Sequence, residues 1–203
     1  GMDWPALVLS LQLAAATVAI LLPVGIVVAR ILAWRRFTGR RWVEAGLALP
    51  LVLPPTVLGF YLLVAFGAVS PRGQAFEALT GSTLAFSFAG LLVASIVVNL
   101  PFAIQPMQRA FEAIPADVRA AAACCGMSPW RIFARIELPL AWPGVLSAMV
   151  LTFAHTLGEF GVVLMVGGNI AGETRTVAIS IYDRAQAFDH AAAGAMSLLL
   201  LAI

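Results

Sequence analysis

"PADVRAAAACCGMSPWRIFARIELP", Pro115 to Pro139, holds three arginines, two carboxylates and three prolines in a chain otherwise made of long apolar runs. Of the 203 residues, 62% are hydrophobic and 11% are charged. A soluble globular domain is about 45–50% apolar and about 25% charged. The excess excludes a water-soluble domain and calls for several membrane spans. The stretch is therefore a polar segment between spans, and its shape decides how the chain is organised. The leading Gly1-Met2 reads as a scar of tag removal, so residues 2–203 are read as one transmembrane domain.

Outward from this stretch, four apolar runs, about 6–30, 45–69, 83–105 and 141–166, each approach the ~20 residues that cross ~30 Å of hydrocarbon. Pro23 is expected to kink the first, and Ser82 to cap the third. A fifth begins near Ala191, or earlier around Gln186, and is expected to be cut off at Ile203. The chain reads as an all-α polytopic membrane protein of about five transmembrane helices, the last truncated.

The arginines orient it. The first connection (30–44) holds Arg30, Arg35, Arg36, Arg40 and Arg41, and the third (106–140) holds Arg109, Arg119, Arg131 and Arg135. The second (70–82) has Arg72 alone, and the fourth (167–190) has Arg175 and Arg184. The positive-inside rule puts the first and third in the cytoplasm and the N-terminus outside. The run "RILAWRRFTGRR" (Arg30–Arg41) reads as an orientation signal and lipid-headgroup contact, not as a nucleic-acid surface.

All twelve basic residues are arginine. A P-loop requires a lysine that reaches the terminal phosphates, so the chain is no P-loop ATPase and any ATP drive must come from a partner. No G-x-S-x-G or H-E-x-x-H motif offers hydrolytic chemistry, and no catalytic residue is assigned. Cys124 and Cys125 are adjacent, a poor geometry for a mutual disulfide. No second pair could complete a metal site with them. They read as small residues on a packed helix, and neither metal nor cofactor is expected.

The stretch itself reads as two short helices. Asp117 lies in the first turn of one, and Gly126 stands where a left-handed cap would end it. Ser128 then caps the second and Pro129 opens it. Pro139 and Pro143 are expected to end that helix and launch the next span. Trp130, Ile132, Phe133 and Ile136 give the second arm an apolar side. Two accounts of that side remain open: packing on the chain's own spans as an interfacial helix, or docking into a cytoplasmic partner.

The segment resembles the "EAA" loop of ABC-importer permeases, E-A-A-x-x-x-G, nine residues, then I-x-L-P. Ala121, Ala122, Gly126, Ile136, Leu138 and Pro139 match in register; the pattern's Glu falls on Ala120. "LPLVLPPTVLGFYLL" (Leu49–Leu63) and "TLGEFGVVLMVGGNIAGETRTVAISIYD" (Thr156–Asp183) resemble the molybdate branch of these permeases, with sulfate and tungstate permeases close by. The resemblance implies a type I importer fold in the inner membrane, with residues 116–139 seated on an ATPase subunit. Arg119, Ala120, Ala121, Ala122, Gly126, Met127, Ser128, Pro129, Trp130, Ile136, Leu138 and Pro139 would make that coupling surface. It also implies a permease homodimer, two ATPase subunits that bind the ATP, and an extracytoplasmic oxyanion-binding protein.

A dianion cannot enter hydrocarbon, so a polar path is required. Thr56, Ser95, Asn99, Thr152 and Thr156, with Gly59 and Gly161 allowing close backbone approach, are the candidate lining; each hydroxyl could instead bond its own helix. His155 and Glu159 are four apart and share a helix face. A metal site and a proton-coupling carboxylate are open readings of Glu159; a structural carboxylate near the outer gate, bonded to backbone or His155, is preferred. Arg175 and Arg184 either meet the incoming anion or binding protein, or pair with Glu173, Asp183 or Asp189. Ala85, Ala89 and Gly90 form a small-residue patch suited to close helix contacts in a dimer. A proton-coupled secondary transporter is the alternative from another class.

Overall fold

The structure is a computed structural model and describes residues 1–67, 70–81 and 83–203. Helices are the regular elements among the described residues. They are α1 (Trp4–Trp34), α2 (Arg40–Val52), α3 (Pro55–Phe66), α4 (Pro71–Thr80), α5 (Phe88–Glu112), α6 (Ala116–Cys124), α7 (Pro129–Ile132), a π-helical stretch (Phe133–Glu137), α8 (Leu138–Gly158), α9 (Gly161–Gly167), α10 (Val177–Gln186) and α11 (His190–Ala202).

Among the described residues three helices are long and apolar enough to cross a membrane: Trp4–Trp34, Phe88–Glu112 and the continuous run Pro129–Gly158. The bent pair of α2 and α3 makes a fourth when counted as one span. Pro23 sits inside α1, which continues through it.

The continuous second span expected over 45–69 is not formed. α2 and α3 meet at a bend of 113°. The break falls at Leu53-Pro54-Pro55, where each residue preceding a proline is pushed out of the α region. Pro55 then opens α3 at a position where its absent N–H costs nothing. The third span starts at Phe88, later than expected. Ser82 lies outside the described residues, and the Gly90 N–H bonds to Ser87 Oγ at 3.2 Å.

The fourth span differs at both ends. Pro139 and Pro143 do not terminate the preceding helix, and the run is helical from Pro129 to Gly158. The π stretch accounts for this. Leu138 N–H bonds to Phe133 O, five residues back. Pro139 has no N–H, and its ring would crowd the carbonyl four residues earlier in a regular α-helix; the wider turn relieves both problems. At the other end α8 stops at Gly158 and α9 resumes at Gly161.

The chain divides into two compact units. The first comprises Gly1–Thr17, Pro50–Asn99 and Phe153–Ile203. Its core joins Phe66, Leu84, Ala94, Val98, Val162 and Val166, with Leu13, Leu91, Val163 and Ile179 in a second cluster. α3 lies very close to α9. A Cβ on Gly59 would stand 2.7 Å from Met165 Cβ, and one on Gly161 2.8 Å from Pro55 Cβ.

The patch expected to serve dimer contacts is used inside this unit. Ala85 and Ala89 pack against the first core cluster, and a Cβ on Gly90 would collide with Leu84 O. Asp3 and Ser10 tie α1 to α10: Ser180 Oγ donates to Asp3 at 2.8 Å, and Val177 N–H to Ser10 Oγ at 2.8 Å.

The second unit comprises Val18–Leu49 and Leu100–Thr152. Leu21, Leu32, Ile104, Met107, Phe111 and Val145 are buried in it. A Cβ on Gly144 would collide with Ala110 and with Pro106 O, so α8 and α5 approach closely there. Val24, Val27, Leu140, Leu146 and Val150 are exposed. Such apolar surface suits a helix whose surroundings are lipid or another subunit.

Candidate functional site

The hairpin forms by local rules. α6 ends in paired bonds, Met127 N–H to Ala122 O at 3.3 Å and Gly126 N–H to Ala123 O at 3.0 Å. Gly126 has φ 79°. This is a Schellman ending, which needs a residue at ease in the left-handed region. Ser128 Oγ accepts from Arg131 N–H at 3.3 Å, and Pro129 takes the first helical position.

What the hairpin presents is mostly small or apolar, with Asp117, Arg131 and Arg135 exposed beside these positions. Ala120, Ala121, Gly126, Ser128 and Pro129 are exposed, and Trp130 is 72% exposed. Met127, Ile136 and Leu138 are half-buried, and Ala122 faces inward. Both cysteines are exposed. The expected burial of Cys124 and Cys125 on a packed helix is therefore corrected: α6 turns only Ala122 to the interior. Among the described residues no group of three or more His, Cys, Asp or Glu is arranged to hold a metal.

The hairpin is fastened within the second unit by a buried carboxylate that sequence reasoning missed. Glu137 is 1% exposed. Arg30, on α1, grips it with both prongs: Nε to Oε2 at 2.6 Å and a terminal nitrogen to Oε1 at 3.1 Å. Arg119, on α6, approaches Oε1 at 3.5 Å. Its guanidinium lies 3.5 Å from the centre of the Trp34 ring, a cation–π contact. Arg30 also lies over Trp34 and Phe133, at 5.2 and 5.9 Å. Arg30 is thus committed inside the protein and is not the lipid-headgroup contact expected of it. Arg40 is likewise engaged, with Glu44 at 3.2 Å and Glu112 at 3.7 Å. The only sequence signal for the Glu137 tie was an acid inside an otherwise apolar I-x-L-P, 107 residues from its partner.

A second polar centre lies in the first unit. Ser95, Asn99 and Thr156 are buried, as is Thr17, which sequence reasoning also missed. Asn99 Nδ2 donates to Ser95 O at 2.8 Å and to Thr156 Oγ1 at 3.0 Å. Thr17 Oγ1 donates to Leu13 O at 2.7 Å and lies 2.9 Å from Ser95 Oγ. A carbonyl oxygen only accepts, which fixes the Asn99 amide and turns Oδ1 toward His155 Nδ1, 2.9 Å away. That ring nitrogen therefore carries the proton.

Glu159 sits in the break between α8 and α9, beyond the helix that carries His155. It still reaches His155, Oε2 to Nε2 at 3.5 Å, while Oε1 accepts from Val162 N–H at 3.0 Å. One carboxylate thus joins the end of α8 to the first turn of α9.

Thr56 is exposed on α3. Gly59 and Gly161 serve the contact of α3 with α9, where the close approach they allow is between two helices. Thr152 is buried in the second unit, beside a small apolar cavity lined by Val18, Leu22 and Met107. Arg184 pairs with Asp189 at 3.8 Å. Arg175 pairs with Asp3 at 3.8 Å and donates to Asn169; Asp3 was not among its expected partners.

The chain belongs to the family of binding-protein-dependent transport system inner membrane components, which it matches over residues 21–203. It is 50% identical to the molybdenum transport system permease protein ModB of Azotobacter vinelandii over 191 residues, 94% of this chain and 84% of that protein. It is 38% identical to the permease protein of the same description from Escherichia coli K12, over 91% of this chain and 80% of that one. It is 30% identical to a probable sulfate transport system permease protein of Chlorella vulgaris, over 88% of this chain and 67% of that one.

Proposed function

We propose that this chain is the membrane-spanning subunit of an ATP-driven importer for a tetrahedral oxyanion, molybdate first. Two copies, with about five spans each in a type I arrangement, form the passage. Two ATPase subunits seat on residues 116–139 and bind the ATP. A soluble binding protein delivers the anion on the outer side, where the N-terminus also lies. The observation that carries this reading is the exposed hairpin tip. An exposed projection of mostly small and apolar residues around Gly126 and Trp130, with Arg131 and Arg135 also exposed on it, has the form of a docking element. Fifty per cent identity to a molybdenum permease supports the substrate. The more distant sulfate relative keeps sulfate, and with it tungstate, as the second reading.

The passage is assigned to the hydroxyl, amide and glycine positions Thr56, Gly59, Ser95, Asn99, Thr152, Thr156 and Gly161, with His155 and Glu159 holding an outer gate. Ser95, Asn99 and Thr156 satisfy one another within one copy, so they reach the anion only when the helices part. Weak, exchangeable donors suit a substrate that must leave as readily as it enters.

The test is reconstitution with the candidate ATPase and binding protein. Expected are co-purification with the ATPase and hydrolysis stimulated by molybdate-loaded binding protein. Absence of both would overturn the reading. Alanine at Thr56, Asn99 and Thr152 that left uptake unchanged would remove the assigned passage, while competition by sulfate on the cognate binding protein would favour the second reading.

A further inference from the structure

We propose that Glu137 is a positioning residue for energy coupling: it locks the docking hairpin to α1 so that motion imposed on the hairpin is carried into that helix. The inference rests on the reading of the hairpin as the ATPase seat.

Four observations converge on it. Glu137 is 1% exposed and receives two arginines that arrive from different elements, Arg30 from α1 and Arg119 from α6. The Arg30 contact is two-pronged, the geometry that resists rotation as well as separation. Trp34 completes the joint from α1, with the Arg119 guanidinium 3.5 Å from its ring centre. Glu137 itself closes the π-helical stretch, the one segment where the long helix departs from regular winding.

A hairpin connected to its own unit by a glycine turn and apolar packing could swing without dragging a span. Removing one partner from a buried ion pair is costly because the other charge is left unpaired. Glu137 therefore holds α6, α1 and the root of α8 at one point. Displacement of the tip is passed to α1 and α8 together and is not absorbed at the root.

The experiment uses the complete transporter, permease with ATPase and binding protein, in proteoliposomes. It reads molybdate taken up per ATP hydrolysed, beside retention of the ATPase on the tagged permease. For Glu137→Gln the expected result is normal retention, continued hydrolysis and a fall in uptake per ATP on the order of tenfold. Arg30→Lys keeps the charge and loses the fork, and is expected to give an intermediate loss. If Glu137→Gln does not accumulate as folded protein, Arg30→Lys, on α1 and outside the ATPase seat, carries the test. Wild-type uptake per ATP in the folded variants, even with a lowered melting temperature, overturns the proposal. Loss of ATPase retention also overturns it, since Glu137 would then only shape the seat. Failure of the wild-type chain to retain the ATPase defeats the functional reading instead, and is distinguishable from both.

Discussion

Gly126 stands at φ 79° with open space around its α-carbon. Nothing steric blocks a side chain there, so the cost of substitution is backbone conformation alone. A β-branched residue in the left-handed region costs about 1–2 kcal/mol. Gly126→Val should lower the melting temperature of the purified permease and weaken ATPase retention, whereas Gly126→Asn, at ease in that region, should keep both. Gly59 is the opposite case. Its φ is ordinary for a helix, but Met165 and Val162 occupy the space a side chain would need. Gly59→Val should cost about 1–3 kcal/mol through overpacking of α3 against α9, read as a lower melting temperature without loss of ATPase binding. Asn99 presents a third kind of constraint, since its amide serves Ser95, Thr156 and His155 together. Asn99→Leu fills the volume but leaves those groups unmatched, a penalty of about 1–3 kcal/mol; uptake and thermal stability should fall together. The first of these residues was legible in the sequence, because a glycine followed by Ser-Pro is a local instruction. Met165 and Val162 beside Gly59, and Thr156 and His155 beside Asn99, come from distant parts of the chain, and no local pattern contains them.

The same division between local and distant causes holds for whole elements. α6, its glycine ending and the serine cap of α7 stand where capping rules put them, because each is decided within a few residues. The passage of a helix through Pro139 was not legible. It depends on a π turn, and the end of that turn is held by an arginine 107 residues away. The fracture between α2 and α3 could be read from Leu53-Pro54-Pro55 only by weighting the double proline above the apolar run around it. Burial of the cysteines was misjudged because an alanine-rich helix gives no hint of which face is inward. That misjudgement supplies a probe. Cys124 and Cys125 are the only cysteines in the chain, and both are exposed at the hairpin. A membrane-impermeant maleimide should label the native protein in inside-out vesicles and not in right-side-out ones. Prior addition of the ATPase should protect it. Labelling from the outer side would reverse the orientation and detach the hairpin from its assigned partner.

At the scale of the whole molecule, the energy source is what separates an ATP-driven permease from a proton-coupled carrier, and Glu159 is where the two meet. A coupling carboxylate must take up a proton from one side and give it to the other. Here Oε1 accepts from the Val162 N–H, and Oε2 lies 3.5 Å from His155 Nε2. The group joins the end of α8 to the start of α9, and α9 lies against α3. It therefore holds two broken helices in register, a duty that an amide can partly perform. Glu159→Gln keeps an oxygen to accept from Val162 and gives up the carboxylate beside His155. A carrier that moved protons through this residue would lose accumulation entirely with that substitution. An ATP-driven permease would lose only part of the rigidity of this joint. The expected outcome is uptake lowered by less than about tenfold, the range of a single weakened contact of 1.4 kcal/mol or less. That uptake should still be abolished by ATP depletion and remain unaffected when a protonophore collapses the proton gradient in ATP-loaded proteoliposomes. Uptake that the protonophore stops while ATP persists would return the chain to the carrier class, whatever its hairpin resembles.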